Sequence, residues 1–520
     1  MITRHLVPAS KHQLSRSRLL EMHIPRAAMR GGALRTKMAQ SCVPMPRFRF
    51  RRSTNSQAGL VTASSTSRRR ARDHVPRDAS QLVYDSGTSA PVTVSWTDEL
   101  LLVQEGPGAA PRSFRPAALR DSCGCRACKD PSSGQKSFAS TEIPTRVGIS
   151  SVRATESGLA IRFLNDIPRF SNHEMTLPWH QLASSTGPPA SQAAAKRSIL
   201  GRTGVKYWDA ATLAKHVRKM DYDDFMQGGT SFWEVMIDLC RLGIVYLKNV
   251  PRDEASVVNI TTRIANIRET FYGRTFDVRA KARAENVAYT SGYLGLHQDL
   301  CYLEPPPMIQ VLHCMDNSCS GGASLFSDGE RAGRLLWPFI SAGRMSSLAD
   351  HKVPYQYDKH GYLYHADRPV VDVDAAGRFA GVFWSPPFQG NYMDKDTDIS
   401  TWIQEARLFE SLVNDAAAIH SHKLEQGECV LFDNLRTMHG RTAFDNTLGE
   451  RWLRGAYIAA EDFLSRAAHI PAGQAEVHRG SEQWTDEKAQ LELTRTQWWR
   501  HVVRRVEELD GRVTQQTVTM

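Results

Sequence analysis

Apolar positions along the chain recur at two periods, and the switches between them divide it. Val92–Trp96, Leu100–Val103 and Gly158–Leu164 are short β-prone runs, so residues 80–183 are expected to form a small β-rich domain. Residues 184–206, rich in Ser, Ala, Gly and Pro, read as a linker. A larger domain is expected over 207–465. Phe232–Arg241 predicts a helix that stops at Gly243, and Ile244–Val250 an apolar strand. Glu254–Tyr272 predicts an amphipathic helix, with Val258, Ile260, Ile264 and Ile267 near helical spacing. Strand patterns follow at Met308–Cys314, Ala323–Ser327, Val353–Tyr357, Val370–Val373 and Phe379–Trp384. A helix over Ile399–Ala418 precedes a strand at Glu428–Phe432. Residues 466–520 are expected to be a helical extension, its last helix spanning Asp486–Leu509. There is no internal repeat. The fold class expected is mixed α/β, mainly β: a double-stranded β-helix, or jelly roll, with helical flanks.

Composition changes this picture at the N-terminus. The 520 residues are 41% hydrophobic and 23% charged, as in ordinary soluble proteins, with no apolar run long enough to predict a membrane span. The net charge is +10. Residues 1–72 hold 16 Lys or Arg against one acid, Glu21, hence +15, and the remainder carries 10 − 15 = −5. The body is mildly acidic, so no nucleic-acid partner is expected. Residues 1–75 read as a disordered basic presequence, rich in Arg and Ser, of the mitochondrial transit type. A basic amphipathic helix would lie near Leu14–Met29; the alternative is a basic tail on a cytoplasmic protein. The nine cysteines show no secreted disulfide framework.

Three of those cysteines cluster. Cys123, Cys125 and Cys128 in LRDSCGCRACK form C-x-C-x2-C. Three thiolates so close suit a tetrahedral structural Zn(II) with one more ligand. His173, in FSNHEMTL, is the first candidate for that ligand and His180 the second. A redox relay is the other use of such a cluster. Zinc would help fold a domain too small for a robust core.

A second constellation carries chemistry. GYLGLHQD places His297 and Asp299 two residues apart, and His439 follows in FDNLRTMHGR. Positions i and i+2 of a strand share a face, so the pair could grip one ion from one strand end. With a distant His this is the sequence form of the two-histidine, one-carboxylate facial triad, which holds Fe(II) and leaves one face open.

The motifs LRDSCGCRAC, FYGRTF, NVAYTSGYLGLHQD, PPPMIQVLHC, GGASLFSDG, LFDNLRTMHGR and RWLRGAY carry a resemblance over roughly residues 80–465. By these the chain resembles the gamma-butyrobetaine dioxygenase family, with trimethyllysine dioxygenase, among the taurine-dioxygenase-like Fe(II)/2-oxoglutarate oxygenases. The resemblance implies His297, Asp299 and His439 as iron ligands. It implies Arg451 as partner of the far carboxylate of 2-oxoglutarate, a role suited to a bidentate guanidinium, with Arg454 a nearby rival. Asn286 and Leu312 fall where the family lines the 2-oxoglutarate pocket, and Ser324 sits close by. Tyr272, Phe276, Tyr289 and Tyr457 correspond to an aromatic cage for a trimethylammonium group, held by cation–π contact. Phe276 stands where the family often has Trp. The segment FWSPPFQG (Phe383–Gly390) lacks the Asn-rich stretch found near the substrate carboxylate in animal butyrobetaine enzymes.

The resemblance therefore implies an Fe(II)- and 2-oxoglutarate-dependent hydroxylase, with ascorbate as reductant and small molecules as partners. The expected reaction is gamma-butyrobetaine to L-carnitine. Trimethyllysine, or another small molecule, is the alternative substrate, and a zinc-binding protein without catalysis is the reading from another class. A homodimer is a family expectation.

Overall fold

The computed structural model describes residues 79–85, 91–170, 172–183, 191–279, 290–391, 399–445, 447, 449–479 and 484–518. The basic segment expected as a presequence lies outside these residues. No helix among the described residues is long and apolar enough to cross a membrane.

The N-terminal part holds two antiparallel sheets. Strands Ser80–Tyr84, Val92–Trp96, Leu101–Glu105 and Arg112–Phe114 pair in sequence order, as do Gly148–Thr155, Gly158–Leu164 and Glu174–Pro178. Val94, Leu101, Val103, Leu159, Ile161 and Phe163 meet in one core, which also takes in Cys123 and Cys128.

The segment expected as a linker contains a helix, Gln192–Thr203. Its Ser191 hydroxyl accepts from the Ala194 amide at 3.2 Å, and Ile199 and Leu200 are buried. Alanine is the best helix former, so a run that resembles a linker by composition folds once it is capped and has a core to cover.

Two sheets build the larger part. The first has six strands in the order Phe276–Val278, Arg451–Ile458, Ile309–Asn317, Cys429–Asp433, Ile244–Lys248 and Lys219–Asp221. The second has four: Leu294–His297, Thr437–Arg441, Ser324–Asp328 and His420–His422. Alternation sorts the first sheet's side chains. Val245, Leu247, Val311 and Leu431 join a core with helices Gly229–Arg241 and Glu254–Ile264. Ile244, Tyr246, Leu312 and Phe432 join the core that takes in the second sheet. Phe326 of the second sheet meets Phe432 and Tyr246 of the first edge to face, at 5.5 and 6.5 Å between ring centroids. These strands are buried on both faces, which is why they read as continuous apolar runs.

Two helices differ from expectation. The helix expected to reach Tyr272 ends at Ile264, where Ala265 turns extended. The Arg268 amide then donates to the Tyr457 carbonyl at 2.8 Å, so this stretch follows the Arg451–Ile458 strand. The C-terminal helix is two, Asp486–Thr494 and Gln497–Val518. The break coincides with Thr494 and Thr496, whose hydroxyls donate to the carbonyls of Leu491 and Leu493.

Candidate active site

The second sheet brings the distant histidines together. Leu294–His297 runs antiparallel to Thr437–Arg441 with His297 directly opposite His439, and their ring centroids are 4.4 Å apart. His297 Nδ1 lies 2.8 Å from the Gly295 carbonyl, a contact that directs Nε2 the other way. Asp299 sits in a turn just past the strand, not on it. Its place is held instead by Asn434: Oδ1 accepts from the Asp299 amide at 2.8 Å, and Nδ2 donates to the carbonyls of Asp299 and Pro307 at 3.0 Å. The next residue, Leu300, has φ 59°, a left-handed conformation rare for a leucine.

The result is a tight convergence. One ligand atom from each of His297, Asp299 and His439 lies within 4.8 Å of the others. Asp299 Oδ1 is 3.3 Å from His297 Nε2 and 3.7 Å from His439 Nε2. Burial works against the Asp299 charge, but His439, His297 and the Tyr457 hydroxyl outweigh it and hold its pKa below the ordinary carboxylate value. Burial, with His297 adding to it, pushes His439 down to about 3. The His439 imidazole is thus held neutral, the form that binds metal.

These groups line a cleft with Arg451, Arg441, Leu312, Ser324, Tyr272, Phe276 and Tyr457. Arg451 is 5% exposed, and its Nε donates to the Gly322 carbonyl at 3.2 Å. Gly322 has φ +70°, and a Cβ there would stand 3.0 Å from Arg451 Cδ. Among the described residues no carboxylate lies within ion-pair distance of Arg451; burial lowers its pKa, and the groups that raise it are Cys314 and Cys319. A buried guanidinium without an internal counter-ion is a seat for an anion from outside. Arg454, the rival, pairs instead with Asp277 and Glu254. Phe276 stacks on Tyr457 with centroids 4.8 Å apart, and Tyr272 lies 6.1 Å from Phe276. Asn286 and Tyr289 lie outside the described residues.

Residues 208–457 match the family described as "Taurine catabolism dioxygenase TauD, TfdA family". Dioxygenase str8 of Strobilurus tenacellus is 33% identical over 366 residues, which cover 67% of this chain and 83% of str8. The chain belongs to this family. A gamma-butyrobetaine dioxygenase of Pseudomonas sp. (strain AK-1) is 26% identical over 398 residues, 74% of this chain and 95% of that protein. A trimethyllysine dioxygenase of Meyerozyma guilliermondii is 24% identical over 388 residues, 72% and 94% respectively. This TauD, TfdA family member is a 2-oxoglutarate-dependent dioxygenase of the kind that includes these two enzymes.

Fe(II) and 2-oxoglutarate go with the family, and the residues present fit both. Two imidazoles and a carboxylate are the donor types of a facial triad, and the buried Arg451 guanidinium in the same cleft has the chemistry to pair with a carboxylate. Three further residues surround these groups. Asn434 fixes the Asp299 turn, Gln310 touches the Asp299 side chain, and Arg441 donates to the carbonyls of Thr290 and Gly292 beside the Leu294–His297 strand. Asn434 and Arg441 flank His439 in the FDNLRTMHGR motif, and Gln310 is part of PPPMIQ; only the fold gives them their tasks.

A second cluster lies in the N-terminal part. Ligand atoms of Cys123, Cys125, Cys128 and His173 all fall within 4.8 Å of one another. His173 Nε2 is 3.4 Å from Cys123 Sγ and 3.5 Å from Cys128 Sγ, while its Nδ1 faces Asp166 Oδ2 at 2.9 Å. Burial pushes the Cys123 thiol up to about 12, so only a bound cation would make it a thiolate at neutral pH. Three sulfurs and one imidazole are a tetrahedral zinc donor set. The side chain of His180 is outside the described residues.

Proposed function

We propose that the protein hydroxylates a small trimethylammonium substrate, gamma-butyrobetaine first, giving L-carnitine. The observation that carries the oxygenase part is a single cleft holding the His297, Asp299 and His439 donors and the uncompensated Arg451. His297, Asp299 and His439 hold Fe(II), and Arg451 takes the far carboxylate of 2-oxoglutarate beside Leu312, with Asn286 assigned to the same pocket. Bound Fe(II) supplies the coupled oxidation, in which 2-oxoglutarate and O2 become succinate and CO2 and one oxygen atom enters a substrate C–H bond. Ascorbate keeps the metal reduced. The chain's own residues orient the reactants and exclude water from a buried site.

The substrate reading rests on aromatic faces. A trimethylammonium group donates no hydrogen bond, and cation–π contacts contribute on the order of 0.5–2 kcal/mol each. Tyr272, Phe276 and Tyr457 line the cleft, and Tyr289 is assigned to the same cage. Trimethyllysine is disfavoured because its free ammonium calls for an acid, and the one carboxylate among the described lining residues, Asp299, is taken up by the triad. One observation favours another small molecule: Phe388, in the Pro-Pro-Phe turn, stands 6.2 Å from the His297 ring where a carboxylate-binding polar side chain would serve butyrobetaine.

The two facing sheets are read as a double-stranded β-helix. The Cys123, Cys125, Cys128 and His173 cluster is read as a structural zinc site, and the basic N-terminal segment as a mitochondrial address. Succinate release with gamma-butyrobetaine, trimethyllysine or no substrate tests the reading. Stimulation by gamma-butyrobetaine with carnitine as product supports it; oxygenase activity that neither compound stimulates moves the substrate elsewhere.

A further inference from the structure

The two oxygens of Asp299 have different surroundings. Oδ1 faces His297 Nε2 and His439 Nε2 at 3.3 and 3.7 Å. Oδ2 accepts from the Tyr457 hydroxyl at 2.7 Å and from Gln310 Nε2 at 2.9 Å. A carboxylate only accepts, which settles the orientation of the Gln310 amide: Nε2 must point at it, leaving Oε1 buried without a partner among the described residues.

Tyr457 and Gln310 reach Oδ2 together because they are cross-strand partners. Gln310 of Ile309–Asn317 is directly opposite Tyr457 of Arg451–Ile458, so both side chains leave the same face of the sheet. They are 2% and 3% exposed, so water does not compete for these bonds. The phenol thus has a task separate from its ring face.

We propose that Tyr457 and Gln310 are positioning residues that keep Asp299 a one-oxygen metal ligand. The inference rests on the reading of His297, Asp299 and His439 as the metal site. A facial triad is useful because three coordination positions stay open, two for the chelating end of 2-oxoglutarate and one for O2. A carboxylate free to rotate can close on the metal with both oxygens and fill one of them. Two donors on Oδ2 hold that oxygen away, while Asn434 fixes the backbone of the same residue.

A cage residue and a positioning residue respond differently to Tyr457→Phe, which keeps the ring and removes the hydroxyl. The probe is Co(II), added under anaerobic conditions to the full-length protein whose Cys123, Cys125, Cys128 and His173 cluster is already filled with one equivalent of Zn(II), because its visible absorption reports coordination number. The proposal expects Tyr457→Phe to bind Co(II) about 10–100-fold more weakly, the range for loss of a group that orients a metal ligand. It also expects an altered Co(II) spectrum. Gln310→Met should shift the same spectrum in the same direction without touching the aromatic faces. Wild-type affinity and spectrum in both variants overturn the inference while leaving the metal site standing. A wild-type protein that takes up no Co(II) overturns the metal site and the inference with it.

Discussion

Arg120 and Asp166 form an ion pair sealed from solvent, with side chains 0% and 2% exposed. The pair closes a ring around the cysteine cluster. Arg120 Nη1 also donates to Cys128 Sγ at 3.4 Å, and the other oxygen of Asp166 holds His173 Nδ1. The guanidinium lies over the rings of Phe138 and Phe170, 4.7 and 5.0 Å from their centroids. Two of the four candidate zinc ligands are therefore fixed by one buried pair. Asp166→Asn, which keeps the shape and removes the charge, should weaken zinc retention about 10–100-fold. Competition with a chromogenic chelator checks this, and wild-type retention would show the pair to be packing alone.

Gly455 lies opposite Phe276 in the strand pair. A Cβ at this position would stand 2.4 Å from the Phe276 ring and 2.9 Å from Leu312. Gly455→Ala should therefore cost about 1–3 kcal/mol of stability, the usual range for overfilling a packed core. It should also raise the substrate KM, since Phe276 must move within the cleft. Denaturant unfolding and steady-state kinetics read the two effects separately.

Glu330 is buried with Lys196, Arg334 and Arg436 around it. Burial raises its pKa, but the three cations outweigh burial and hold it down at about 2, against an ordinary 4.5. The unfolded chain takes up the proton near 4.5 and the folded one near 2. This contribution to stability is thus fully present above pH 4.5 and is lost as pH falls towards 2. Glu330→Gln should be less stable than wild type at pH 7, with the gap closing over that window. A constant gap from pH 7 to pH 3, by urea unfolding, would contradict the assignment.

Much of this was legible in the chain because the informative residues are strand residues. Double-sided burial gave Ile244–Lys248, Ile309–Asn317 and Cys429–Asp433 unmistakable apolar runs, and His297 and His439 needed only one antiparallel pairing to meet. What was hidden depends on register or on tertiary contact. Gln310 and Tyr457 are 147 positions apart (457 − 310), and nothing local marks them as partners. The helix Gln192–Thr203 was masked by a composition that also suits linkers, and the helix end at Ile264 follows from a bond to Tyr457 that no periodicity encodes. Asp299 was expected on the strand and lies in the turn after it, because Asn434 offers its amide a side-chain partner in place of a strand neighbour.

One cleft is proposed to hold both Fe(II), on His297, Asp299 and His439, and 2-oxoglutarate, on Arg451. Anaerobic titration of 2-oxoglutarate into the Fe(II)-loaded protein, followed by its metal-to-ligand charge-transfer absorption, tests this most directly. A saturable visible band is expected in the wild type, no band in His439→Ala, and a band in Arg451→Gln that saturates only at 2-oxoglutarate concentrations at least about tenfold higher, as for loss of a charged hydrogen-bond partner. No band in the wild type, or the same titration in all three proteins, would contradict it.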